Sequence, residues 1–252
     1  MYTLYVIPGS HPCRAAMLML EHKGLPYRRV DFIPPTHPVM ARLHGFDAGS
    51  QRRAAGSKRT FGLVLGDRLA TVPGLAAGHR RISTNHGIAR FLDERHPDPP
   101  LLPDDPAERR AVEEAERWAN ETFQMAARRI VLAWTVRDPE GSSRAGARGR
   151  MGYLLYKRRR ARRVVTPWIG RNAFNAAGAA TEAELMAELP AQLDHIDALI
   201  RDGVLGGAQP NVADLMVAPS LAIVLYRPDV MPLFRGRPAL ELVDRLLPEP
   251  AG

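Results

Sequence analysis

Four residues near the start of the chain, Ser10-His11-Pro12-Cys13, bring together a hydroxyl, an imidazole and the only thiol in the sequence. Their spacing is that of the redox C-x-x-C motif with serine in place of the first cysteine. In that motif the first position carries the exposed nucleophile and the second is more buried. Cys13 therefore reads as a packed thiol and, in the alternative, as a reactive one. Ser10 has two uses: its oxygen can cap a helix, or it can stabilise an anion beside that helix's positive end. Capping and catalysis compete for the same oxygen.

Further along, Val72-Pro73 precedes a turn-rich stretch, and Thr84-Asn85 stands ahead of GIARFLDER. Asn85 reads as an N-cap whose amide could also meet a carboxylate at a helix N-terminus. His11 and His37 could bind a carboxylate or act as a base, although loop histidines are more often solvated bystanders. Asn211-Val212-Ala213-Asp214 has the form of a capping box, so Asp214 is assigned to folding. No metal site is expected, because one cysteine excludes cysteine-based zinc binding.

These residues need elements to hold them. Tyr2 to Ile7 is a β-rich run stopped by Pro8-Gly9, and SHPCRAAMLMLEHKG then has helical spacing at Ala16, Met19, Leu20 and Lys23, with Gly24 closing it. Tyr27, Val30 and Phe32 mark a second strand, and a strand-helix-strand unit favours a parallel pair. Val39 to Phe46 suggests a helical turn or two, Phe61 to Leu69 a strand, and Val72 to Ile82 an antiparallel hairpin turning at Ala77-Gly78. Ile88, Phe91 and Leu92 share one helical face before the proline-rich HPDPPLLPDDP, which is taken as the domain boundary.

Everything beyond that linker reads as helix. Asp105-Pro106-Ala107-Glu108 caps a long helix with apolar positions from Ala111 through Ala115, Trp118, Phe123 and Ile130 to Trp134, and residues 138–149 break it. A basic segment through Tyr153 and Tyr156 to Trp168 predicts the next helix. Thr181-Glu182-Ala183-Glu184 predicts another helix start, with Pro190 kinking or delaying the helix. LMVAPSLAIVL is too continuously apolar for a surface helix and predicts the buried centre of this half.

The 252 residues, 45% hydrophobic, suffice for two ordinary domains. The single cysteine excludes an intrachain disulfide and fits a reducing cytoplasm. Neither a signal peptide nor a membrane span is expected. Lys and Arg exceed Asp and Glu by 35 to 27, a net charge of +8, concentrated at 51–59 and 157–163. The second run reads as a solvated helix face or inter-helix loop; without an aromatic platform it argues against nucleic-acid binding, and a polyanion partner is the weakest reading.

Taken in order, LYVIPGSHPCRAAMLMLEHKGLPY, TVPGL, GIARFLDERHPDPPLLP and NVADLMVA resemble the glutathione-transferase family, as a divergent member of bacterial type. The resemblance implies an α/β thioredoxin-like N-terminal domain with a mixed four-stranded sheet over 1–96, a linker at 97–104, and an all-α helical bundle over 105–252. It implies glutathione, or another low-molecular-weight thiol, as co-substrate, an electrophilic small molecule as second substrate, and a homodimer. Ser10 would contact the thiol sulfur, with Cys13 as the alternative.

By the same resemblance Pro73 would be cis, with the Val72 backbone pairing with the cysteinyl part of the thiol. Thr84-Asn85 stand where the family has an acidic residue or Gln followed by Ser to cradle the γ-glutamyl carboxylate, and His11 would assist binding. That departure keeps a second reading open: a non-catalytic binding or scaffold protein that keeps the fold and has lost the thiol. Trp118, Tyr153, Tyr156 and Trp168 are candidate walls for the second substrate, against the commoner fate of core packing.

Overall fold

The structure, a computed structural model, describes residues 1–47, 70–146, 149–151, 159–176 and 178–248. The first elements are β1 (Tyr2–Val6), α1 (His11–His22), β2 (Tyr27–Asp31), a 3-10 turn at Pro34–Thr36, α2 (His37–Leu43), β3 (Gly74–Ala77), β4 (Arg80–Ser83) and α3 (Asn85–Arg95). They build one mixed sheet in the order β2-β1-β3-β4, with β1 parallel to β2 and antiparallel to β3. This is the thioredoxin-like arrangement expected. The expected strand at 61–69 lies outside the described residues.

Period-two alternation explains how the sheet is covered. Leu4 lies opposite Leu75 and both are fully buried. Tyr5 lies opposite Gly74 and meets Phe32, His44 and Phe46 at ring distances of 4.8 to 5.3 Å. Gly74 is needed there, because a Cβ would sit 2.7 Å from the Phe46 ring. Gly24 (φ 61°) ends α1 and Gly78 (φ 59°) turns the β3-β4 hairpin in the left-handed conformation that glycine adopts without steric cost.

The remainder is helical: α4 (Pro106–Trp118), a π-turn at Ala119–Phe123, α5 (Gln124–Arg137), α6 (Pro139–Gly146), α7 (Arg159–Ala173), α8 (Ala179–Arg201), α9 (Val212–Val224), a 3-10 turn at Pro228–Val230, α10 (Met231–Phe234) and α11 (Pro238–Leu246). Asp105 accepts from the N–H groups of Ala107 and Glu108, as its capping role requires. The long helix that follows is one run with a π-turn, where Trp118 stacks on Phe123 at 5.5 Å. Three expectations are corrected. The long helix does break at Asp138, but the Gly- and Ser-rich residues 139–146 that follow form a helix of their own, docked between α5 and α7. Thr181 does not start α8, which begins two residues earlier after Gly178 (φ 100°); Glu182 bridges Arg137 and Arg227 instead. And α8 begins ahead of Pro190 and runs on through it, so the proline does not delay the helix.

All thirteen residues of α9 are buried. Its start is the full capping box: Asn211 accepts from the N–H groups of Ala213 and Asp214, and Asp214 accepts from Asn211 and from Gly206 at 2.8 Å. The helix packs against α1, α5, α4 and α11, so the principal apolar core runs without a break from the sheet into the helical half. A second tie lies at the other end of α1. Lys23, whose side chain is completely buried, bonds the carbonyls of His96 and Pro99 and the Asp93 carboxylate, each at 2.6 Å. Asp93 in turn accepts from the N–H groups of Leu101 and Leu102. Among the described residues no single helix is long and apolar enough to cross a membrane.

Candidate active site at the start of the first helix

After β1 the chain turns through Gly9 (φ 71°), and the Ser10 N–H closes the turn on the Ile7 carbonyl at 3.1 Å. Ser10 occupies the N-cap position of α1, yet its side chain makes no capping bond. Its hydroxyl stands close enough to the Cys13 thiol to pull that thiol's pKa down, and the sulfur accepts the Ile7 N–H at 3.4 Å. The competition for the Ser10 oxygen is thus resolved away from capping. Cys13 is only 1% exposed. Burial pushes its thiol up, against the opposing pull of the Ser10 hydroxyl, the Ile7 N–H, Arg128 and Arg29, so at neutral pH it is a protonated, packed group.

Ser10 and Cys13 border an open cavity of about 220 Å³ that is further lined by Ile7, Gly9, Arg14, Met17, Arg29, Arg150 and Met151. His11 faces elsewhere. It is buried, with Nδ1 3.1 Å from the Ser220 hydroxyl of α9 and with Nε2 lacking any hydrogen-bond partner. Burial, aided by the positive charge of Arg128, holds its pKa well below the usual histidine value, so it is a neutral imidazole that pins α1 to the helical half. His37 lies against the Pro34 carbonyl and is also depressed, by burial first. Neither histidine lines the cavity.

The Val72-Pro73 peptide is cis, as expected, and both residues are buried ahead of β3. At the head of α3 the structure corrects the sequence reading. Thr84, not Asn85, is the N-cap, accepting from the Gly87 N–H at 3.1 Å, and Asn85 is the first helical residue. Thr84 has φ 69° and ψ 151°, a backbone region nearly confined to glycine. The Asn85 side chain is buried, and its Oδ1 has no hydrogen-bond partner.

Of the aromatic wall candidates, Trp118 packs between Phe123 and His195, Trp168 is 56% exposed, and Tyr153 and Tyr156 lie outside the described residues. Neither Trp118 nor Trp168 is among the described residues that line the cavity. The sequence reading missed Arg14, Arg29, Arg150 and the two methionines, which come from α1, β2 and the segment after α6. No local signal joins them. Among the described residues there is no group of three His, Cys, Asp or Glu that could hold a metal.

No family model matches the sequence, and no curated protein matches it. Solved structures do. The glutathione transferase GSTFuA3 of Phanerochaete chrysosporium superimposes with a TM-score of 0.64 at 16% identity, over 100% of this chain and 98% of that one. A glutathione S-transferase of Ceriporiopsis subvermispora, solved in complex with glutathione, gives 0.62 at 19% identity over 100% and 99%. FzlA of C. crescentus gives 0.60 at 19% over 97% and 87%. The fold is that of the glutathione transferases. On the glutathione-transferase fold the turn after β1, the peptide before β3 and the head of α3 gather at one end of the sheet, and Ser10, Val72 and Thr84-Asn85 occupy those three places.

Proposed function

We propose that this protein is a glutathione-transferase-like enzyme that binds a small thiol, glutathione in the first instance, and holds it as thiolate for attack on an electrophilic carbon. The observation that carries the reading is Ser10: a hydroxyl at the amino end of a 12-residue helix, released from capping and bordering a cavity. Such a hydroxyl and the helix's positive end both favour a thiolate over a thiol, and each unit of pKa lowering requires about 1.4 kcal/mol of preferential stabilisation. The attacking sulfur forms a C–S bond while a leaving group departs with its bonding pair, or adds to an activated double bond whose other carbon takes a proton from water; in an isomerisation the C–S bond forms, the substrate rotates, and the bond breaks again to release the thiolate. Proximity supplies the rest of the acceleration.

The thiol's peptide part would lie towards β3. Val72 offers backbone groups two residues ahead of the strand. The head of α3 favours a carboxylate, and the partnerless Asn85 Oδ1 is an acceptor suited to an ammonium group. Strained backbone such as that of Thr84 collects at ligand clamps. The same reading carries a homodimer in a reducing cytoplasm, with the division between domains at 97–104; sedimentation would test the dimer.

Calorimetry with glutathione on wild type, Ser10→Ala and Cys13→Ala tests the proposal. Binding by wild type and Cys13→Ala, with the bound thiol's pKa raised in Ser10→Ala, is the expected result. A loss confined to Cys13→Ala would move the role to that sulfur, and no heat with wild type would sink thiol binding. The second reading, a binding or scaffold protein on the same fold, is favoured by one observation: Val72, Thr84 and Asn85 are not among the residues lining the cavity that Ser10 borders. It predicts no glutathione-dependent turnover of any electrophile.

A further inference from the structure

Among the described residues, the cavity's lining contains three guanidinium groups, from Arg14, Arg29 and Arg150, and no acidic side chain. Their counter-charges stand outside it. Arg14 Nη1 meets Glu21 at 2.7 Å, Arg29 meets Asp31 through Nε at 2.6 Å and Nη2 at 3.3 Å, and Arg150 meets Asp244 at 2.6 Å and the Leu247 carbonyl at 2.8 Å. These contacts fix each guanidinium in place, and those of Arg14 and Arg29 use fewer than the five donors each group carries. Arg14 bonds through Nη1 alone, to Glu21 and the Met17 sulfur, and Arg29 through Nε and Nη2. The charge of Arg29 is felt at the Cys13 sulfur, beside Ser10, so the positive field reaches the point where a reacting sulfur would lie.

The strand order separates this cavity from the proposed thiol tail. Ser10 follows β1. Arg29 lies on β2, on one side of β1, whereas Val72-Pro73 leads into β3 on the other. A thiol aligned along Val72 therefore reaches Ser10 from the β3 side, and whatever fills the arginine-lined cavity reaches Ser10 from the β2 side. Met17, Met151 and Ile7 add polarisable, apolar wall, and about 220 Å³ admits only a small ligand.

We propose that this cavity selects an anionic second substrate: a compact electrophile bearing a carboxylate, held by Arg14 and Arg29, with its apolar part against the methionines. The reading rests on the thiol proposal for what reacts with the ligand, and on the cavity alone for what the ligand is. Planar guanidinium groups pair well with carboxylates, and a site built for such pairing rejects an uncharged analogue.

The test uses 4-(chloromethyl)benzoate and its methyl ester with glutathione. In both, the sulfur bonds to the benzylic carbon, chloride leaves with its bonding pair, and the thiol proton passes to water. The carboxylate is expected to exceed the ester in kcat/KM, after subtraction of the uncatalysed rates, by about tenfold or more. Arg29→Gln and Arg14→Gln, checked for native circular dichroism, should each lower that ratio by about tenfold, and Arg29→Lys should restore part of it. A ratio near unity in wild type, or one unchanged in both glutamine variants, overturns the proposal. If neither compound turns over, the thiol reading has failed, and calorimetry with 4-methylbenzoate in the absence of thiol decides this one. Binding that is lost in Arg29→Gln supports it, whereas no binding by wild type overturns it.

Discussion

His11 and Ser220 lie 209 residues apart in sequence and meet at 3.1 Å, joining the first residue of α1 to the buried helix α9. Because the imidazole is buried and its pKa is depressed by that burial, it stays neutral in the native state while the unfolded chain takes a proton below about pH 6.5. The unfolded state then binds more protons, so stability falls as pH drops below that value. His11→Asn should flatten the denaturant-measured slope between pH 6.5 and 5 by up to about 1.4 kcal/mol per pH unit. His22 and His37, also depressed, should leave part of it. An unaltered slope would refute the assignment.

Ser10→Ala should separate stability from chemistry. Since the Ser10 side chain caps nothing, the usual capping loss of about 1 kcal/mol should be missing from the melting curve. The ultraviolet titration of bound glutathione should nevertheless show a thiol pKa higher by about one unit. A full capping loss with an unmoved thiol would reverse the roles.

Cys13 should resist alkylation. Buried and protonated, it should react with iodoacetamide at pH 7 far more slowly in the native protein than in guanidinium chloride, as followed by mass spectrometry. Labelling at the rate of an exposed thiol would contradict the packing described.

Lys23→Ala should cost about 3 to 5 kcal/mol, because the Asp93 charge and two carbonyls lose a fully buried partner. Adding Asp93→Asn should recover part of this loss, and the double-mutant cycle gives the coupling. Additive effects would show that the two groups do not depend on each other.

Thr84 offers a test of the backbone itself. Thr84→Gly should be stabilising by about 1 kcal/mol or more, since glycine adopts φ 69° freely and costs only a few tenths as an N-cap. Thr84→Ala keeps the strain and loses the cap, and should lower stability by about 1 kcal/mol. Equal melting temperatures for the two variants would count against the strain.

Features signalled by adjacent residues were legible in the sequence. The turn at Pro8-Gly9, the glycine stop at Gly24, the hairpin at Gly78 and the box at Asn211-Asp214 each announce themselves within a few residues, and all four stand where they were read. The helix at 139–146 was hidden because its Gly- and Ser-rich sequence has weak local preference and is held by docking against α5 and α7. Thr181 shows the converse, a capping pattern overridden by a helix already under way. At the site, Ser10 and Cys13 were readable as a pair from their three-residue spacing. Arg14, Arg29 and Arg150 were not, since only the packed chain brings three separated segments to one cavity.

A helix sealed on every side, as α9 is, leaves no room for its neighbours to shift independently. The loop carrying Ser10 is therefore aimed by side chains more than two hundred positions downstream. Added bulk at Ser220, which meets His11, would be transmitted through α1 as a misplaced hydroxyl, so drift in the second half of the chain can retune the chemistry of the first without altering any residue that touches a ligand.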